Sequence, residues 1–307
     1  MAEEFEDTRM TLGEHIAELR TRLLKGLVVV VVAFGLAWSQ YDLIAQLVME
    51  PYHEAVPKIN EHYREYFAGR VQAGLVDAGD YFDVEPGEGA EQYFANTDPE
   101  LWKLNDRWSA PDRLSVISMT EQFTFILQIC LYFAVFIGGP FLIWQLWQFI
   151  AAGLYETERK AAMRYFPYSV ALFLVGVAFG YFIMVPYAMY FLATAFESDM
   201  IEPQYRLKDY FSLLTSLCLA LAAVFQLPVI MVFSTRLGLV EPAKLASFRS
   251  YFIVGAFIVA AILTPPDPIT QTMMAVPMVV LYELGLLAAR FLAKPRASQS
   301  TDLEVAS

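Results

Sequence analysis

The sequence predicts an all-α integral membrane protein of six transmembrane helices, with both termini cytoplasmic and an enlarged acidic extracytoplasmic loop between helices 1 and 2. Three observations lead there. Of 307 residues, 57% are hydrophobic and 18% charged, whereas soluble domains run at roughly 45–50% and about 25%. The apolar residues fall into six blocks separated by charge, the pattern of repeated passage through hydrocarbon. Lys and Arg favour alternate loops, which sets orientation.

Thr11 to Glu14 have capping-box spacing, predicting a helix start. Leu12, Ile16, Leu19 and Leu23 then form an apolar stripe along a short amphipathic stretch, so residues 1–22 read as a cytoplasmic segment. Spans follow near 23–39, 123–150, 165–195, 211–233, 251–263 and 273–292, within a membrane domain of 23–293, before a cytoplasmic tail, 294–307. The fifth apolar run has only 13 residues, short of the roughly 20 a bilayer needs, so local thinning is expected there. Pro265 and Pro266 end that span, and Asp267 caps the last helix ahead of Pro268, giving a tight turn.

With the N-terminus inside, that side holds thirteen Lys and Arg, against two in the short outer loop at Arg206 and Lys208. The long loop is excluded from that count by its length. From Tyr52 to Ile117 it carries 13 acidic and 6 basic residues, yet its many aromatics predict a folded insert over 57–117 and not a solvated tether. Ile59, Tyr63, Phe67 and Val71 suggest an amphipathic helix starting near Pro57, and Asp83 to Glu91 reads as a turn.

The net charge of −12 lacks the basic footprint a nucleic-acid binder needs. Cys130 and Cys218 fall in apolar blocks with no metal or redox partner, and read as small core residues. Glu3, Glu4, Glu6 and Asp7 stand where a cleaved leader would be basic, so no cleavage is expected.

His15 to Leu23, HIAELRTRL, resembles the signature that precedes the first span in the TatC family, the receptor subunits of the twin-arginine translocase. Glu50-Pro51, Gln145 to Ile150, Leu154 to Lys160 and Leu263 to Asp267 resemble further family motifs, in family order. The resemblance covers about 11–56 and 118–293, and the acidic insert has no counterpart in compact members. It implies a protein of the cytoplasmic (inner) membrane that does no bond chemistry and needs no cofactor or metal. It would capture twin-arginine signal peptides of folded proteins, assemble with single-span TatA and TatB and with itself, and work with the proton gradient.

The resemblance places the signal-binding carboxylates at Glu18 and Glu158, with Leu19, Arg20 and Phe149 beside them. A guanidinium meets a carboxylate through two parallel hydrogen bonds and an ammonium only as a point charge, which explains selection of Arg over Lys. A plainer role for Glu18 is an ion pair with Arg22, four residues on; for Glu158, a solvated loop charge, with Glu156 as a rival. Arg20 is about 200° round the helix from Glu18 and suits a lipid phosphate or another loop. The family's partner-helix contacts match Thr264 and Gln271, for which ordinary capping is the competing account, and Gln226 stands where many members carry Glu. Pro51, Pro265, Pro266 and Asp267 are structural. Glu283, costly to ionise in lipid, is a functional-site candidate by default, with snorkelling or pairing with a basic residue such as Arg290 as the plainer accounts. Gly176 and Gly180 form a small-xxx-small pair suited to close packing.

Two other classes compete. No GxSxG, HExxH or Cys–base pair is present, so the parts for an intramembrane enzyme are missing. A secondary transporter of a small solute is the stronger rival, since Pro140, Pro186, Pro228 and Pro277 can break helices at mid-membrane. It would need more intramembrane charge than Glu283 supplies.

Overall fold

The computed structural model describes residues 12–83, 98–195, 203–264 and 267–292. Thr11, Pro265, Pro266, the tail and most of the expected turn at Asp83 to Glu91 lie outside the described residues. Among those described, the chain is helical with two isolated bridges and no strand. The helices are α1 (Leu12–Ser39), α2 (Tyr41–Gln72), α3 (Met119–Ala152), α4 (Glu156–Met163), α5 (Phe166–Phe179), α6 (Val185–Thr194), α7 (Leu207–Val224), α8 (Leu227–Arg236), α9 (Pro242–Ser247), α10 (Arg249–Leu263) and α11 (Pro268–Leu292). Five apolar stretches are long enough to cross a membrane: Gly13–Ser39, Met119–Ala152, Phe166–Thr194, Leu207–Arg236 and Pro268–Leu292. The apolar α10 has 15 residues, about 22 Å of helix.

Small residues set the register. A Cβ on Gly26 would lie 3.0 Å from Leu142, and one on Gly138 would touch Val30 at 3.7 Å, so α1 and α3 run antiparallel. Gly176 and Gly180 bring α5 and its extension onto α7: an added Cβ would meet Leu221 O at 2.8 Å and Cys218 Cα at 3.1 Å. Gly285 does the same for α11 against Pro228 and Met231 of α8. The alternation puts the starts of α1 and α5 and the ends of α3, α8 and α11 at one end of the bundle, and the insert at the other.

Proline bends two of the spans. Between α5 and α6, Gly180–Met184 is a π segment directly ahead of Pro186, the local widening that relieves the ring's clash with the preceding turn. Pro228 opens α8 just after Phe225 and Gln226 interrupt the fourth span. The broken spans are tied together nonetheless: Trp147 Nε1 donates to Ser169 Oγ at 2.9 Å, and Gln226 Nε2 donates to Ser169 O at 3.2 Å.

The insert departs from the sequence expectation in one respect. Its helix begins at Tyr41, one residue beyond α1, and not near Pro57; it runs 32 residues through Pro51 and Pro57. Pro51 lacks the N–H that would bond Leu47 O, and that carbonyl instead accepts from the Tyr181 hydroxyl. Val48 O similarly accepts from Tyr210. Tyr52 donates to Pro111 O at 2.5 Å, Tyr63 to Ala193 O at 2.5 Å, and Asn60 makes a two-point pair with the backbone of Ala110. Tyr63, Phe67, Tyr81 and Trp108 stack into one buried aromatic core, so the described part of the insert is folded. Burial raises the hydroxyl pKa of Tyr52 to about 12, with the Asp112 carboxylate adding to it.

Candidate functional site

At the bundle end opposite the insert, α1 lies along the last turns of α3. Glu18 Oε1 takes both Arg22 Nε, at 2.7 Å, and Arg22 Nη2, at 2.6 Å, while Arg22 Nη1 reaches Gln145 Oε1 at 3.4 Å. The i,i+4 pairing weighed from the sequence is present, and both side chains stay 20–24% exposed. One oxygen carries all of this, so Oε2 remains unengaged among the described residues. One turn earlier, His15 stacks on Phe149 with ring centroids 4.3 Å apart, in the space left by Gly153, whose Cβ would lie 3.3 Å from the ring. Leu19 is 38% exposed, and Ile16 and Leu23 more so; no described residue covers this part of the apolar stripe. Arg20 is exposed and bonds no described residue.

Glu158 has a different local cause. Its Oε2 accepts from Tyr155 N at 3.3 Å, the N3-to-N-cap half of a capping box that starts α4. It also lines a cavity with Arg164, Tyr165, Tyr168, Val232, Phe233 and Arg236 among others. Glu18, Leu19, Arg20 and Phe149 do not line that cavity. The structure thus links Glu18 to Gln145 through Arg22 and stacks His15 on Phe149, while Glu158, at the same end, lines a cavity that none of these four lines. The side chain of Glu156 lies outside the described residues.

At the other end, Asp267 Oδ1 accepts from the backbone N of Ile269 and Thr270 at 3.1 and 2.7 Å, and Oδ2 from the Thr270 hydroxyl. Those contacts cap α11. Thr264 is buried, its hydroxyl bonded to Ala260 O at 2.9 Å, and Gln271 Nε2 ties α11 to Phe257 O of α10 at 2.9 Å. Glu283 pairs with Arg249 of α10, at 2.5 and 2.8 Å, and not with Arg290. Arg290 is seven residues away on the same helix, whereas the tight α10–α11 hairpin brings Arg249 alongside. Sequence reasoning gave no role to Gln145, Ser169 or Arg249; only the antiparallel register reveals them.

This arrangement can be compared with known proteins. A family model described as Sec-independent protein translocase protein (TatC) matches residues 14–277. The chain belongs to the TatC family. Among TatC relatives, that of Halothiobacillus neapolitanus is 35% identical over 99% of this chain and 69% of its own length. TatCy of Bacillus subtilis is 33% identical over 63% of this chain and 77% of its own. A crystal structure titled twin arginine translocase receptor TatC superposes with a TM-score of 0.65 at 25% identity, over 91% of this chain and 99% of that one. As a TatC-family chain it is a multi-pass membrane component of the Sec-independent translocase, which favours that reading over a solute transporter. The matched segment contains Glu18, Phe149, Glu158, Gln226, Thr264, Asp267 and Gln271, while Glu283 falls beyond it.

Proposed function

We propose that this chain is the receptor subunit that captures twin-arginine signal peptides at the cytoplasmic face of the inner membrane. Counting the short α10 as a sixth span, the distribution of Lys and Arg supports a topology with both termini inside. The insert is then extracytoplasmic. The observation that carries the reading is the half-used carboxylate of Glu18: Arg22 pre-orients it through Oε1, and Oε2 is left for a second guanidinium. Glu158, held by Tyr155 N, supplies the other acid. Leu19 and Phe149 offer apolar contact beside them, and Arg20 faces elsewhere, toward lipid phosphate or a loop. Each partly desolvated charge-assisted contact contributes about 1.5–3 kcal/mol, so two give on the order of a hundredfold or more.

No cofactor, metal or bond-making step enters this scheme. Gln271 and Thr264, beside the exposed Ile262 and Ile269, mark the contact for the spans of TatA and TatB partners, and assembly with further copies of the chain completes the translocase. Export of the folded passenger is driven by the proton gradient. Gln226 cannot exchange a proton, and its amide holds the broken fourth span against Ser169 O, with any partner contact made from that fixed position. Copurification tests the reading: an Arg-Arg signal peptide should be retained and a Lys-Lys one lost. Equal retention of the two, or unchanged crosslinking to Glu18→Ala and Glu158→Ala chains, would overturn it.

A further inference from the structure

The cavity beside Glu158 has a volume of ≈ 570 Å³ and two unlike parts. Its walls are apolar, from Leu172 of α5, Val229, Val232 and Phe233 of α8, and Ala288 and Leu292 of α11. Its rim carries Arg164, just ahead of α5, and Arg236, the last residue of α8. Because α5 and α8 belong to antiparallel neighbouring spans, both guanidiniums sit at one water–lipid boundary whichever way the bundle faces. Both are exposed, and neither bonds or pairs with a described residue. The third charge is Glu158, so the rim keeps one net positive charge.

Two uncommitted guanidiniums above an apolar slot match an amphiphile with an anionic head. Guanidinium groups bind phosphate oxygens in bidentate fashion, and basic clefts between spans at this boundary suit lipid head groups. The slot takes the first methylenes of an acyl chain, which a soluble phosphate lacks. We propose that this cavity binds one anionic phospholipid of the adjoining leaflet, its phosphate held between Arg164 and Arg236. A monoanionic head cancels the charge of the rim, whereas a zwitterionic one leaves it uncompensated. The site shares Glu158 with the proposed peptide capture, while the two arginines and the apolar walls belong to it alone, so the test is made without peptide.

The test is native mass spectrometry of the full chain in detergent, without peptide, titrated with phosphatidylglycerol or with phosphatidylethanolamine of the same acyl chains. Phosphatidylglycerol should bind selectively, and Arg164→Gln combined with Arg236→Gln should weaken it by about thirtyfold. Both residues are exposed, and unchanged thermal unfolding will show that the fold is retained. Lys244→Gln, an exposed cation at the same end and outside the cavity, should leave binding as it was. Equal binding of the two lipids, an equal loss with Lys244→Gln, no loss with the double substitution, or competition by glycerol phosphate as strong as by intact lipid would each overturn the proposal.

Discussion

At the insert end, Tyr52, Asn60 and Tyr63 reach 59, 50 and 130 residues along the chain to bond backbone groups. At the opposite end, the firmest bonds of Glu18 and Glu158 go four and three residues along their own helices. Long-range locks fix one element against another, while local pairs shape a side chain and leave its neighbourhood open. The insert end is therefore built as a scaffold. The opposite end keeps its groups open: its carboxylates are held by local pairs, Ile16, Leu19 and Leu23 of its apolar stripe are exposed, and Arg20, Arg164 and Arg236 bond no described residue.

If that contrast holds, Phe67→Ala should do the greatest damage to stability, about 3–5 kcal/mol, because it empties the middle of the aromatic core. A far smaller drop in thermal unfolding would show that the insert is not a scaffold. Next comes Asn60→Ala, which strips both partners from the backbone of Ala110 and should cost about 1–3 kcal/mol by the same measurement.

Alkaline pH sharpens the comparison further. Tyr52 keeps its proton up to about pH 12 in the fold and only to about 10 when unfolded. Its contribution is thus complete below pH 10 and lost as pH climbs through 12. The chain with Tyr52→Phe should lose stability less steeply over that window, and parallel curves would refute the assignment. The smallest stability change belongs to Glu18→Gln, under about 0.5 kcal/mol for an i,i+4 pair. Retention of an Arg-Arg peptide should nonetheless fall by about tenfold or more. A variant that unfolds instead would place Glu18 among the scaffold residues.

The apolar blocks were legible because hydrocarbon imposes length and composition on every span, and the cap at Asp267 because its signal is local. The close approach at Gly176 and Gly180 was legible from their spacing alone. The start of α2 was not, since the apolar spacing from Ile59 onward pointed to a start near Pro57; the carbonyl that Pro51 leaves without an N–H partner is satisfied by a hydroxyl from Tyr181, some 130 residues away. The partner of Glu283 was missed because Arg249 becomes a neighbour only after α10 folds back on α11. At the candidate site, the Glu18–Arg22 pair followed from helical spacing, whereas His15 stacking on Phe149 depends on the α1–α3 register.

The single residue Gln40 between α1 and α2 has a mechanical consequence. α2 is clamped to the rest of the insert end, and α1 continues from that short joint, packed chiefly on α3. Glu18 lies 22 residues from the joint, an arm of about 33 Å. Tilting that arm by about 5° would swing the carboxylate by about 3 Å, roughly the length of a hydrogen bond. Displacing α1 at its tip can thereby be felt at the insert end of the bundle without any helix unwinding.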